Sequence, residues 1–186
     1  MKFSRKAIAC WLFATLSLSM PSLATDAVAP LNFVNDVVPI LTKAGCNAGA
    51  CHAKAGNGQN GFRLSLLGFE PQEDYEHIVK ESHGRRVFPA APDQSLLLLK
   101  AANLAPHGGG KRLEVDSDAY KTLREWIAQG LPYEKDTDPK LVSIEVQPKR
   151  NSMKVRGEQQ LKVLAHYSDG HTRDVTQSAL YEAMVL

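Results

Sequence analysis

The segment Gly45-Cys46-Asn47-Ala48-Gly49-Ala50-Cys51-His52 decides how this chain of 186 residues reads. It carries two of the three cysteines, and a histidine follows the second directly. A Cys…Cys-His run is able to attach a c-type haem: the two thiols form thioethers with the vinyl groups, and the histidine ligates the iron from one side. Four residues separate the cysteines here, where two is the usual spacing. Two other chemistries use the same side chains. A Cys46–Cys51 disulfide accounts for the cysteines but not for the histidine. A zinc site needs two further ligands, and the adjacent Cys51 and His52 would serve one ion awkwardly.

Upstream of the motif, Phe33 to Ala44 reads as a helix. Phe33, Val34, Val37, Val38, Ile40 and Leu41 recur at near-helical spacing. Asn32 is placed to cap this helix and Gly45 to end it immediately before Cys46. Pro39 predicts a kink. Further back, residues 1–24 read as a secretory signal peptide. Lys2, Arg5 and Lys6 form a positive start, Ala7 to Met20 an apolar stretch too short to span a membrane, and Ser22-Leu23-Ala24 a cleavage site. Cys10 leaves with this leader, so Cys46 and Cys51 are the only cysteines of the exported chain. Residues 25–31 form a short linker.

Loss of the leader takes Lys+Arg from 22 to 19 against 20 Asp+Glu, and so turns a net charge of +2 into −1. No basic field remains that would favour nucleic acid. No membrane-spanning stretch remains either. Export implies an oxidising location: the periplasm, the cell surface or the medium.

Downstream, Asp74 to Lys80 predicts one or two helical turns, and Ser95 to Asn103 a helix with Leu96 to Leu99 as its buried run. The clearest helix is Asp118 to Gln129. Asp116 or Ser117 caps it, Tyr120, Leu123, Trp126 and Ile127 share one face, and Gly130 and Pro132 follow. A helix before the cysteines and a Trp-bearing helix at the end suit a small haem pocket, with loops supplying a second ligand. No methionine lies between Cys46 and the later strand-rich zone. His107, in the small-residue loop Ala105-Pro106-His107-Gly108-Gly109-Gly110, is the leading candidate for that ligand, with His77 and His83 behind it. Arg85 and Arg86 are candidates to pair with haem propionates.

After the polar stretch Asp136-Thr137-Asp138-Pro139-Lys140 the pattern changes to strands. Val142, Ile144 and Val146 alternate with polar residues, Gln160 to Tyr167 alternates again, Ser168-Asp169-Gly170 is a tight turn, and Arg173 to Thr176 begins a third strand. So few strands do not close a sandwich, and the chain stops at Leu186 without a turn, so a longer protein is expected. Two glycine-rich stretches carry no nucleotide chemistry. Gly56-Asn57-Gly58-Gln59-Asn60-Gly61 lacks a preceding strand, and Gly110-Lys111-Arg112 lacks the hydroxyl residue that a phosphate loop needs after its lysine. No Ser/His/Asp set or carboxylate pair stands out.

These segments together resemble the secreted cytochrome c-like domains of planctomycete-type bacteria, often followed by a group 2 bacterial immunoglobulin-like domain. The matching pieces are Phe33…Pro39-Ile40-Leu41, the Gly45–His52 motif, Gly61-Phe62-Arg63-Leu64-Ser65-Leu66, Gly84-Arg85-Arg86-Val87, Ser95 to Leu98, Pro106 to Gly110 and Leu123…Trp126-Ile127…Gly130. Ile144-Glu145-Val146…Pro148, Tyr167 to Gly170 and Arg173 to Thr176 match the immunoglobulin-like part.

The resemblance implies a mainly α cytochrome c-like domain at 32–135, then a partial all-β Ig-like sandwich at 141–186. It implies haem c bound covalently to Cys46 and Cys51, with His52 as proximal iron ligand. Ordinary cytochromes c take their distal ligand from a Met-Pro loop. Here Ala105 stands about where that Met would fall and His107 two residues on, which leaves His107 as the possible distal ligand and a lowered potential as its consequence. The implied function is single-electron transfer between redox partner proteins, by a carrier rather than an enzyme. The rival classes are a non-haem surface or adhesion protein stapled by a Cys46–Cys51 disulfide, and the haem domain of a larger enzyme.

Overall fold

In the computed structural model, residues 30–182 are described. The leader expected at 1–24 lies outside them. The chain opens with a π-helical turn, Phe33–Val37, which runs into α1 (Val38–Lys43). The Asn32 side chain accepts a hydrogen bond from the Asn35 amide at 2.8 Å, as an N-cap does. Pro39 has no N–H to give to the Asn35 carbonyl, and Val38 instead donates to Phe33, one residue further back, which widens the turn.

Three more helices follow: α2 (Pro71–Val79), α3 (Leu96–Ala101) and α4 (Asp118–Ala128). Ser117 caps α4 through a hydrogen bond from the Tyr120 amide. Three of the four helices end in the same way. A left-handed residue stands just past the end, at Gly45, Asn103 and Gly130. The next amide then reaches back five residues: Cys46 to Leu41 at 2.9 Å, Leu104 to Leu99 at 2.8 Å, Leu131 to Trp126 at 3.1 Å. This Schellman geometry satisfies the last carbonyls and turns the chain sharply out of each helix.

The core lies between these helices. Phe33, Leu64, Ile78, Leu98, Leu123, Trp126 and Ile127 are fully buried. Phe33 packs against Trp126 at 5.6 Å and edge-on to Tyr75 at 5.4 Å between centroids, and the Trp126 Nε1–H donates to the Pro132 carbonyl at 2.9 Å. The Phe33 amide donates to Tyr133 at 2.6 Å, so the first and last parts of the helical zone clasp each other.

Strands β1 (Leu141–Gln147), β2 (Lys162–Tyr167) and β3 (Thr172–Asp174) form one antiparallel sheet in the order β1-β2-β3. The sheet is tied to the opening turn by Arg173, whose Nη1 donates to the buried Asp36 Oδ1 at 2.9 Å. Lys43 reaches the Ala179 carbonyl at 2.6 Å, and Asn35 Nδ2 donates to the Pro139 carbonyl at 2.9 Å.

The expectation of a mainly α cytochrome c-like domain followed by a partial Ig-like sandwich is overturned on both counts. The α-helices are only 6, 9, 6 and 11 residues long, because Pro39, Pro71 and the left-handed residues at 45, 103 and 130 cut the apolar runs short. Turns and 3-10 segments carry the rest of that zone. The strand zone is a single layer among the described residues. Val163 and Ala165 are buried, yet Val146 and Ile144, directly opposite them on β1, are 41% and 58% exposed. Among the described residues, no second sheet covers that face. Among the described residues, no helix is long and apolar enough to cross a membrane.

Candidate cofactor-attachment site

The exit of α1 positions the first cysteine. The Cys46 amide is held by Leu41, and Gly45 just before it takes φ +76°, a conformation that L side chains rarely adopt. The following loop closes on itself. Cys51 N–H donates to Ala48 at 3.0 Å, and His52 N–H donates back to Cys46 at 3.0 Å, which brings the histidine beside the start of the motif. The side chain of the almost fully buried Asn47 donates through Nδ2 to Thr42 Oγ1 at 2.9 Å and ties the loop to α1. Beyond His52 the chain pairs with residues 62–64. The Leu64 amide donates to the His52 carbonyl at 2.6 Å, and the Lys54 amide to Leu64 at 2.7 Å.

The second loop leaves α3 at Asn103. His107 opens a tight turn closed by Gly110 N–H donating to the His107 carbonyl at 2.9 Å. The turn places the imidazole back over its own glycines, with Nδ1 2.8 Å from the Gly110 carbonyl.

The two loops bring His52 and His107 together. Their rings are 6.2 Å apart between centroids and inclined by only 8°. His52 Nδ1 lies 3.2 Å from the Phe62 carbonyl. In both rings a carbonyl therefore fixes Nδ1–H and leaves Nε2 as the nitrogen with a free lone pair, an arrangement that also orients histidines bound to metals. Burial holds the His52 imidazole below the ordinary histidine range. The Phe62 carbonyl opposes this, while His107 and Arg86 push the same way as burial. A neutral imidazole is the form that binds a metal.

Cys46 and Cys51 are free thiols. Burial, the dominant cause, pushes the Cys46 thiol up to about 11; Arg112 opposes it. The thiolate is the form that reacts with alkylating agents. In protein made without any cofactor, Cys46 is expected to react with iodoacetamide at pH 8 about a hundredfold more slowly than an ordinary thiol. Its rate should rise with pH until about 11. A rate at pH 8 equal to that of glutathione, followed by mass spectrometry of the Cys46 peptide, would contradict this environment.

The donor types match those that hold a covalently bound haem: two thiols and two imidazoles. Imidazole nitrogens sit about 2.0 Å from a metal, so two rings on opposite sides of one metal ion have centroids roughly 6 Å apart. The parallel His52 and His107 meet that spacing. Two unpaired thiols occupy the loop that presents the first of the two histidines. Among the described residues, no three His, Cys, Asp or Glu side chains converge to enclose a metal ion by themselves.

The runners-up lie elsewhere. The nearly buried His77 is committed on both sides: Nδ1 to the Arg63 carbonyl, and Nε2 facing Glu73 at 3.6 Å and Glu81 at 3.4 Å. His83 is exposed. Arg86, expected as a propionate partner, is buried and donates to the His77, Glu81 and Gly61 carbonyls. It also covers the Phe62 ring at 4.6 Å, and that ring packs on His52, again at 4.6 Å. Arg86 therefore supports the His52 side of the site from behind.

Three residues of the site were not singled out as ligand supports from sequence. Phe62 holds His52 through its carbonyl and its ring. Arg112 Nη2 lies 3.5 Å from Cys51 Sγ. Gly109 sits under the His107 ring. The resemblance included Phe62, but nothing in its local pattern marks a backbone carbonyl as a ligand anchor. No protein-family model matches this chain, and no curated protein and no solved structure matches it.

Proposed function

We propose that this chain is an exported carrier of covalent haem c that passes single electrons between redox partner proteins. Cys46 and Cys51 would hold the group through thioethers, and His52 and His107 would ligate its iron. The observation that carries this reading is the parallel, carbonyl-anchored pair His52 and His107 beside two free thiols. The haem supplies a reversible one-electron change at its iron.

The chain's own residues do the rest. The two Schellman exits deliver the two ligand loops, and the Phe62 and Gly110 carbonyls hold both imidazoles with Nε2 free. Partial burial lowers the His52 pKa and so favours its neutral imidazole. Two histidines as ligands would give a lower reduction potential than His and Met. The resemblance to exported cytochrome c-like domains implies the same function, and the leader expected at residues 1–24 would take the chain to the compartment where such haem is attached.

The test is the visible spectrum of protein produced in a host with haem-attachment machinery. The wild type is expected to show a Soret band and the split bands of a reduced low-spin haem. Colourless wild-type protein with an intact Cys46–Cys51 disulfide would overturn the reading.

A further inference from the structure

We infer that Gly109 is a positioning residue for His107: it is glycine because any side chain there would push the imidazole off its ligating position. This rests on the proposed role of His107 as a ligand and extends it to the residue that holds the ring in place.

The three consecutive glycines of this turn meet three different conditions. A Cβ built on Gly108 would have nothing within 4 Å, and its backbone is not left-handed. Gly110 has φ +68°, so its reason for being glycine is the backbone itself. Gly109 has neither excuse. Its φ is not positive, but a Cβ there would stand 3.0 Å from His107 Cε1 and 3.3 Å from Nε2. Those atoms form the outer edge of the ring, the edge that carries the ligating nitrogen. Carbon atoms in contact prefer about 3.5–4.0 Å, so at 3.0 Å the ring would have to give by a few tenths of an ångström. The added methyl cannot withdraw freely, because Arg112 Nε lies 3.6 Å from it. Nor can the ring tilt without cost, because its Nδ1 is held 2.8 Å from the Gly110 carbonyl. Well-formed metal sites hold their ligand distances within about 0.2 Å, so a displacement of this size strains the bond.

The experiment compares wild type, Gly108→Ala and Gly109→Ala, all produced with haem. Gly108→Ala is expected to match wild type in its spectrum. Gly109→Ala is expected to lose at least half of its low-spin signal, to bind carbon monoxide at least tenfold faster when reduced, and to regain the low-spin spectrum on adding imidazole. Its melting temperature should remain within a few degrees of wild type, which separates loss of the ligand from loss of the fold. A Gly109→Ala spectrum identical to wild type overturns the inference.

A haem-independent measurement separates this inference from the proposed function. In haem-free protein, NMR should show a cross-relaxation peak between the Gly109 Hα and His107 Hε1 protons. It should also show a changed His107 ring shift in Gly109→Ala but not in Gly108→Ala. Absence of both effects overturns the positioning role. Their presence in a protein that never acquires haem supports the positioning of the ring and overturns only the ligand assignment.

Discussion

His107→Ala is expected to convert a low-spin haem protein into one that is predominantly high-spin or water-ligated. His107 is the ring that faces His52, 6.2 Å away and nearly parallel, and its Nδ1 is already engaged by the Gly110 carbonyl. Under the proposed ligand set, removing it takes away one of two strong-field nitrogen donors. The oxidised wild type should lack the charge-transfer band of a sulfur ligand, and added imidazole should restore the low-spin spectrum of His107→Ala. His77→Ala and His83→Ala should leave the spectrum unchanged, because His77 is held between Glu73 and Glu81 and His83 is exposed. Optical and electron paramagnetic resonance spectra of the three variants decide the matter. An unchanged spectrum for His107→Ala removes it from the ligand set.

Trp126→Ala is expected to cost the fold about 3–5 kcal/mol, the usual penalty for deleting a fully buried aromatic side chain. Trp126 has no exposed surface. It contacts Phe33 at 5.6 Å and Tyr75 at 6.4 Å, and its indole N–H satisfies the Pro132 carbonyl. Domains of this size are stable by only about 5–15 kcal/mol, so the loss removes a large share of the total. Trp126→Phe keeps most of the volume, and the Pro132 carbonyl keeps the Phe33 amide as a donor, so it should cost only about 0.5–1.5 kcal/mol. Urea melts followed by far-UV circular dichroism measure both. Equal midpoints for wild type and Trp126→Ala would mean that the aromatic cluster does not hold the two ends of the helical zone together.

Local signals in this chain were legible where one residue decides a backbone conformation. Asn32 and Ser117 cap the helices that they precede, and Gly45 and Gly130 end helices where the sequence predicts. The widening at Phe33–Val37 follows from the missing donor of Pro39. Asn103 ends α3 in the same left-handed way as the two glycines, but an asparagine is a weaker signal for that conformation.

What was not legible depends on residues distant in sequence. An alternating strand such as Leu141–Gln147 predicts one buried face only if something covers it, and in this chain nothing among the described residues covers β1. The sandwich was implied by the family resemblance, not by this alternation, and a single sheet is found. Arg86 reads as a surface cation beside Gly84 and Arg85. Only the approach of Gly61, His77 and Glu81 supplies the three carbonyls that bury it. The pairing of the His52 and His107 rings likewise needs two helix exits to point their loops at one another. The histidines themselves could be named from their motifs, whereas the carbonyls of Phe62 and Gly110 that aim them could not.

The covalent bond to haem is the central claim, and intact-mass spectrometry of denatured protein tests it most directly. Wild type produced with haem-attachment machinery should carry the added mass of one haem through acid denaturation, and should stain for peroxidase activity on a denaturing gel. Cys46→Ser combined with Cys51→Ser should carry none. Wild-type protein with the bare polypeptide mass, short only of the two hydrogens lost in a Cys46–Cys51 disulfide, would contradict the account.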